Sequence, residues 1–144
     1  MAIKRMLAVT GAVAAATLLS APAAQAEEAA PQAAPAQAEA QADGYLHVYT
    51  GYNGAGWCDS WKGNSGDWGV CRNRVSSLWN NGYPGNYDDV WVYWGLNHSG
   101  ARRGVYNGVA LNDLRKWDFD ANTGAGSGQA LNNNISSHQW TNLP

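Results

Sequence analysis

The chain reads VYTGYNGAG at residues 48–56 and VYWGLNHSG at residues 92–100. Val, Tyr, Gly, Asn and Gly recur at five of nine positions, at an offset of 44 residues. A second pair follows in the same order. Asn73-Arg74-Val75-Ser76-Ser77 is answered by Asn133-Asn134-Ile135-Ser136-Ser137, at an offset of 60. Two motifs repeated in the same order describe two copies of one unit. The offsets differ by 60 − 44 = 16, so the second copy carries about 16 extra residues between its motifs.

Local patterns make the unit a β-unit. Tyr45 to Thr50 and Val90 to Trp94 are rich in β-formers and bounded by Gly or Asp. In the second run Val90, Val92 and Trp94 share one face, and Trp91 and Tyr93 the other. Large side chains on both faces suit a strand packed on one side and partly covered on the other. The turn cluster Asn80 to Asn86 separates units of about 44–82 and 88–142. Val105 to Trp117 has mixed spacing and reads as a strand followed by a short helical turn. Gly-rich Ala121 to Gly128 reads as a flexible loop.

Composition agrees. Residues 44–144 contain all eight Trp, all seven Tyr, the single Phe, 16 of the 17 Gly and no Glu. A helical bundle needs strong helix formers, and only six Ala fall in this stretch. A glycosidase built on a Glu pair is excluded. Seven positive and seven negative side chains cancel there, so the basic excess of a nucleic-acid binder is missing.

The first 43 residues differ in kind. Lys4 and Arg5 precede an apolar run from Met6 to Leu19, and Ala24-Gln25-Ala26 offers a small-residue cleavage box. Residues 1–26 read as a secretory signal peptide, too short in its apolar part to span a membrane. No other run could cross a membrane. Residues 27–43, EEAAPQAAPAQAEAQAD, lack aromatic and β-branched residues. They read as a disordered tail or propeptide. The expected product is secreted, with Cys58 and Cys71 joined in one disulfide.

Each unit resembles a βγ-crystallin Greek key. The opening Tyr…Gly spacing appears as Tyr49…Gly56 and Tyr93…Gly100, and the folded hairpin is expected to need φ > 0 at that Gly. Asn132-Asn133-Asn134-Ile135-Ser136-Ser137 matches the closing signature, and Arg72 to Ser77 matches it except at Arg72. The fold implied is an all-β, βγ-crystallin-like sandwich of two Greek-key units with one disulfide. Trp57-Cys58, the block Cys71 to Gly82, and Gly128 to Trp140 also resemble a secreted actinobacterial peptidase-inhibitor family of this fold, related to the microbial metalloproteinase inhibitor.

The resemblance implies two kinds of site. Inhibition of an extracellular peptidase would use a rigid loop, and Asp59 to Val70 is closed by the disulfide. Trp61, Lys62 and Trp68 are its candidate contacts, and loop 118–128 is a further one. Calcium, a possible ligand rather than a required cofactor, would be held by Asn133, Asn134 and Ser136 and by Asn73, Arg74 and Ser76. A third reading, independent of the resemblance, is a glycan-binding surface drawn from Trp57, Trp61, Trp91, Trp94 and Trp117. Catalysis has no support: no H-E-x-x-H or G-x-S-x-G occurs, and His47, His98 and His138 lack metal spacing.

Overall fold

The computed structural model describes residues 41–144. The expected signal peptide and residues 27–40 of the expected tail lie outside them. Seven strands form among the described residues, with three short 3-10 turns and no α-helix. They are β1 (Tyr45–Tyr49), β2 (Trp57–Trp61), β3 (Ser77–Asn81), β4 (Asp89–Tyr93), β5 (Arg102–Val105), β6 (Ala110–Leu111) and β7 (Ser137–Thr141). The mixed segment Val105 to Trp117 resolves into the end of β5, the two-residue β6 and a 3-10 turn at Leu114–Lys116.

Two antiparallel sheets pack face to face. One has the order β2-β1-β3-β6 and the other β5-β4-β7. The first unit supplies β1, β2 and β3 to one sheet, and Ser65 then bridges to His138 of β7 in the other. The second unit supplies β4, β5 and β7 to that sheet, and its β6 crosses back to pair with β3. Each unit thus lends its third segment, the bridge at Ser65 in the first and β6 in the second, to the partner unit's sheet. The two halves of the duplication share one core.

Strand alternation builds that core. Leu46 and Val48 of β1, Leu78 of β3, and Val90 and Val92 of β4 point inward and are essentially inaccessible. Each such burial contributes about 1.5–3 kcal/mol. Trp68, Val75, Leu114, Phe119, Leu131 and Ile135 close the ends between the sheets. On the outer face of β4, Trp91 lies under the Arg102 guanidinium at 4.0 Å. Tyr93 beside it is covered by His98, with ring centroids 5.4 Å apart.

The duplicated motifs become matched hydrogen bonds. Asn73 N–H donates to Ile135 O at 3.0 Å, and Asn133 N–H donates to Val75 O at 2.9 Å. Ser76 N–H donates to Tyr49 O, and Ser136 N–H to Tyr93 O, both at 2.9 Å. The last Ser of each motif holds the opening hairpin of its own unit. Ser77 Oγ donates to Gly51 O at 2.7 Å and accepts from Gly54 N–H at 3.0 Å. Ser137 Oγ does the same with Gly95 O at 2.6 Å and His98 N–H at 3.1 Å. Gly56 and Gly100 take the expected positive φ, 69° and 78°. The last Ser of each motif is therefore a fold requirement.

Candidate functional site

The disulfide joins Cys58 on β2 to Cys71 in the 3-10 turn Gly69–Cys71. It closes a 13-residue separation, which by chain entropy contributes about 3 kcal/mol. Inside the loop the aromatic side chains turn to the core. Trp68 is 1% exposed. Its indole stacks on half-buried Trp61 at 5.2 Å between centroids, and its Nε1–H donates to His138 Nδ1 at 2.9 Å. The expectation that Trp68 contacts a partner is therefore corrected. Its ring is part of the buried core cluster shared by the two units. Trp61 packs against the same cluster and keeps only part of its surface. Lys62 is exposed, and its ammonium lies 5.1 Å from the centre of the Tyr45 ring.

His138 completes this cluster and is fully buried. Its Nε2–H donates to Gly63 O at 2.8 Å, which leaves Nδ1 as the acceptor for the Trp68 indole. Burial pushes its pKa down to about 4, against the opposing pull of the Gly63 carbonyl; nearby His98 adds to the lowering. His138 is a neutral core group.

What the loop does present is the turn after Trp68. Val70 is 74% exposed, between Trp68 at 1% and Cys71 at 0%. Trp68 N–H donates to Ser136 O, and Asn73 N–H to Ile135 O. With the disulfide, these bonds fix the turn on both sides of Val70. Arg72, Asn73 and Arg74 are exposed next to it. Loop 118–128 is tied down as well. Phe119 is 2% exposed, its N–H donates to Gln129 O, and its carbonyl accepts from Gly128 N–H. The flexible loop expected there is a hairpin pinned through Phe119.

The residues proposed for calcium divide. Asn73 Oδ1 and Ser136 Oγ meet across the two units at 3.5 Å. Asn134 turns elsewhere, its Nδ2 donating to Gln129 Oε1 and Ala130 O at 3.0 and 3.1 Å. Asn73 and Asn133 are exposed in left-handed conformation, φ 60° and 55°, with Arg74 exposed and Ser76 buried. Asn132 Oδ1 is buried without a partner. Among the described residues no cluster of three His, Cys, Asp or Glu could hold a metal. Calcium takes six to eight oxygens, several of them charged. The side chains thus bring two neutral oxygens together, and backbone carbonyls of Arg74 and Asn134 would have to supply the rest of a calcium site.

The aromatics considered for glycan binding do not form one surface. Trp57 lies on one sheet and Trp91 on the other, while Trp61, Trp94 and Trp117 pack against the core.

One cluster was not among the expected sites. His47 Nε2–H donates to Asp43 Oδ2 at 2.8 Å, and Ser60 Oγ lies 2.6 Å from His47 Nδ1. The order Ser–His–Asp is that of a hydrolase relay. Here the Trp57 indole N–H donates to Ser60 Oγ at 2.8 Å and occupies a lone pair that a nucleophile would use. The cluster pins Asp43 to the sheet. Asp43 and His47 sit four apart along an alternating segment, so their shared face was readable. Their partner Ser60 comes from cross-strand register, which is not local.

No family model and no curated protein matches the sequence. Solved structures do match. A βγ-crystallin domain, from work on the evolution of the eye lens βγ-crystallin domain fold, has a TM-score of 0.51 at 20% identity, covering 72% of this chain and 90% of that one. A βγ-crystallin from Ciona intestinalis gives 0.49 at 13% identity, with 68% and 100% covered. The N-terminal domain of protein S gives 0.47 at 22% identity, with 69% and 98% covered. The first likeness, the crossed third segments and the Cys58–Cys71 bridge give the conclusion: the chain has a βγ-crystallin-like fold of two Greek keys closed by one disulfide.

Proposed function

We propose that this is a secreted, non-catalytic inhibitor of an extracellular peptidase, and that its contact element is the turn Asp67–Arg74. The observation that supports the reading is the exposure step along that turn. Val70 stands out from the surface while Trp68 and Cys71, on either side, are buried. A side chain held outward on a backbone fixed at both ends loses little entropy when it enters a pocket. The disulfide and the two backbone bonds to the second unit supply that fixation. Val70 suits an apolar specificity pocket, with Arg72 and Arg74 flanking it. Trp61 serves from behind, as part of the support.

The test is titration of the purified domain against a secreted metallopeptidase and a secreted serine peptidase. The expected result is stoichiometric loss of activity of one of them. Val70→Asp weakens that inhibition at least tenfold with an unchanged melting midpoint. Full peptidase activity at micromolar domain across both classes overturns the proposal.

A further inference from the structure

A cleft of about 380 Å³ is lined in part by Lys62, Gly63 and Asn64 of the disulfide loop, and Val70 is not among its lining residues. Its walls include Lys62, Asn64, Tyr83, Asn86, Tyr87 and Trp140. We propose that this cleft binds an acidic oligosaccharide, one carrying carboxylates on its sugar rings.

Three observations carry the proposal. The first is a set of flat aromatic faces. Tyr83 and Tyr87 are 60% and 61% exposed, unlike most aromatics of the domain. The Trp140 ring lies against Gly82, where a Cβ would come within 2.7 Å of it, and the Tyr83 ring lies against Gly44, where a Cβ would come within 2.6 Å. The glycines let both rings lie down along the cleft. Flat rings offer stacking area to sugar faces.

The second is polarity of one sign. Asn64 Oδ1 accepts from Trp140 N–H at 2.7 Å, and Asn86 Oδ1 accepts from Asn142 Nδ2 at 3.0 Å. Each oxygen is thus engaged by the protein. Each Nδ2 has no protein acceptor among the described residues and remains to donate to a ligand. Lys62 adds an ammonium, and no Asp or Glu lines the cleft. A wall of donors with one cation and no anion selects a ligand rich in acceptors and negative charge.

The third is strain. Among the described residues seven non-Gly positions have positive φ, and six of them are Asn or His, which tolerate it. The seventh is Tyr87, at φ 56°. A bulky residue held there is strained. Asn142 holds it, accepting the Tyr87 N–H through Oδ1 at 2.6 Å while its Nδ2 reaches Asn86. The exposed ring is no core group, so packing does not account for the strain. Aiming a ring into a ligand cleft does.

The test is isothermal titration of the domain with hexamers of galacturonate, cellulose and N-acetylchitooligosaccharide. Galacturonate hexamer is expected to bind at least tenfold tighter than either neutral hexamer. Lys62→Gln is expected to remove most of that preference. Tyr87→Gly separates a binding role from a structural one, because glycine relieves the backbone strain while deleting the ring. It is expected to keep or raise the melting midpoint and to weaken galacturonate binding about tenfold. No binding of galacturonate at millimolar concentration overturns the proposal, as does equal or tighter binding of a neutral hexamer. Unchanged affinity in a Tyr83→Ala, Tyr87→Ala double variant also overturns it. Peptidase inhibition by Tyr87→Gly is expected to be normal, so the two proposals fail independently.

Discussion

The indole Nε1–H of Trp68 and the imidazole Nδ1 of His138 meet at 2.9 Å inside the core, 70 residues apart in sequence. The bond requires a neutral imidazole, because a protonated Nδ1 would turn a donor against a donor. Protonation is therefore coupled to folding.

The folded domain keeps His138 neutral down to about pH 4, whereas the unfolded chain protonates it near 6.5. Above pH 6.5 neither state binds the proton, and the contribution to stability is fully present. Between 6.5 and 4 only the unfolded chain binds it, so stability falls with falling pH. The full loss is on the order of 3 kcal/mol. Urea unfolding at a series of pH values from 7.5 to about 4.5 reads the slope. His138→Gln should flatten it. An NMR titration placing the imidazole near 6.5 in the folded domain would refute this account.

The paired serines make a second expectation. Ser77 and Ser137 each tie one opening hairpin through two hydrogen bonds. Both residues are about 1% exposed or less, so water cannot replace the lost hydroxyl. Ser77→Ala and Ser137→Ala should each cost about 1–3 kcal/mol. Ser76→Ala should cost less, since Ser76 bonds to Tyr49 and Leu114 through its backbone. Thermal melts of the three variants check the ranking; equal losses for Ser76→Ala and Ser77→Ala would contradict it.

Calcium gives a third. The loops converge two neutral side-chain oxygens, Asn73 Oδ1 and Ser136 Oγ, and no cluster of acidic groups among the described residues adds charge to them. Millimolar calcium should leave the melting midpoint unchanged. Any ligand that binds only the folded state must raise it. A rise of several degrees, abolished by Asn73→Ala, would show that the loops complete a site.

What was legible in the sequence was whatever repeats. Tyr49 and Tyr93, Gly56 and Gly100, and Ser77 and Ser137 recur because the same hairpin is built twice. Those recurrences carried the all-β class, the two units and the positive-φ glycines. The crossing of the third segments was less visible. Ser65 and Val109 stand at the same offset of 44 but share no side chain, since strand pairing there runs through the backbone. Trp68 misled for a related reason. A tryptophan between two cysteines has the same local pattern whether it faces a partner or the core, and the buried His138 that decides it lies 70 residues away from Trp68. The cleft also assembles from distant pieces. Lys62 comes from the disulfide loop, Tyr87 from the link between units, and Trp140 from the last strand.

The joint between the two units rests on Asn80. Its side chain is fully buried. Its Nδ2 donates to Asp88 O at 2.9 Å and to Val105 O at 3.1 Å, and its Oδ1 accepts from Gly82 N–H at 3.0 Å. Its backbone closes the crossing segment, donating to Val109 O and accepting from Gly108 N–H. One side chain thus binds β3, the linker and β5 together. Asn80→Ala removes three hydrogen bonds at once and should cost about 2–4 kcal/mol, because Asp88 O keeps Asn107 Nδ2 at 3.4 Å while Gly82 N–H and Val105 O lose this partner, at about 1–3 kcal/mol for each buried group left unpaired. Asn80→Asp tests the geometry separately. It keeps the acceptor for Gly82 N–H but faces the Asp88 and Val105 carbonyls with a carboxylate, so it should destabilise at least as much at neutral pH and recover partly as the pH falls and the acid protonates. Denaturant midpoints at pH 7 and pH 4.5 distinguish the two variants. Because the partners of Asn80 lie in both units, its loss should lower one cooperative transition for the whole domain; separate melting of the two units would show that the shared core does not couple them.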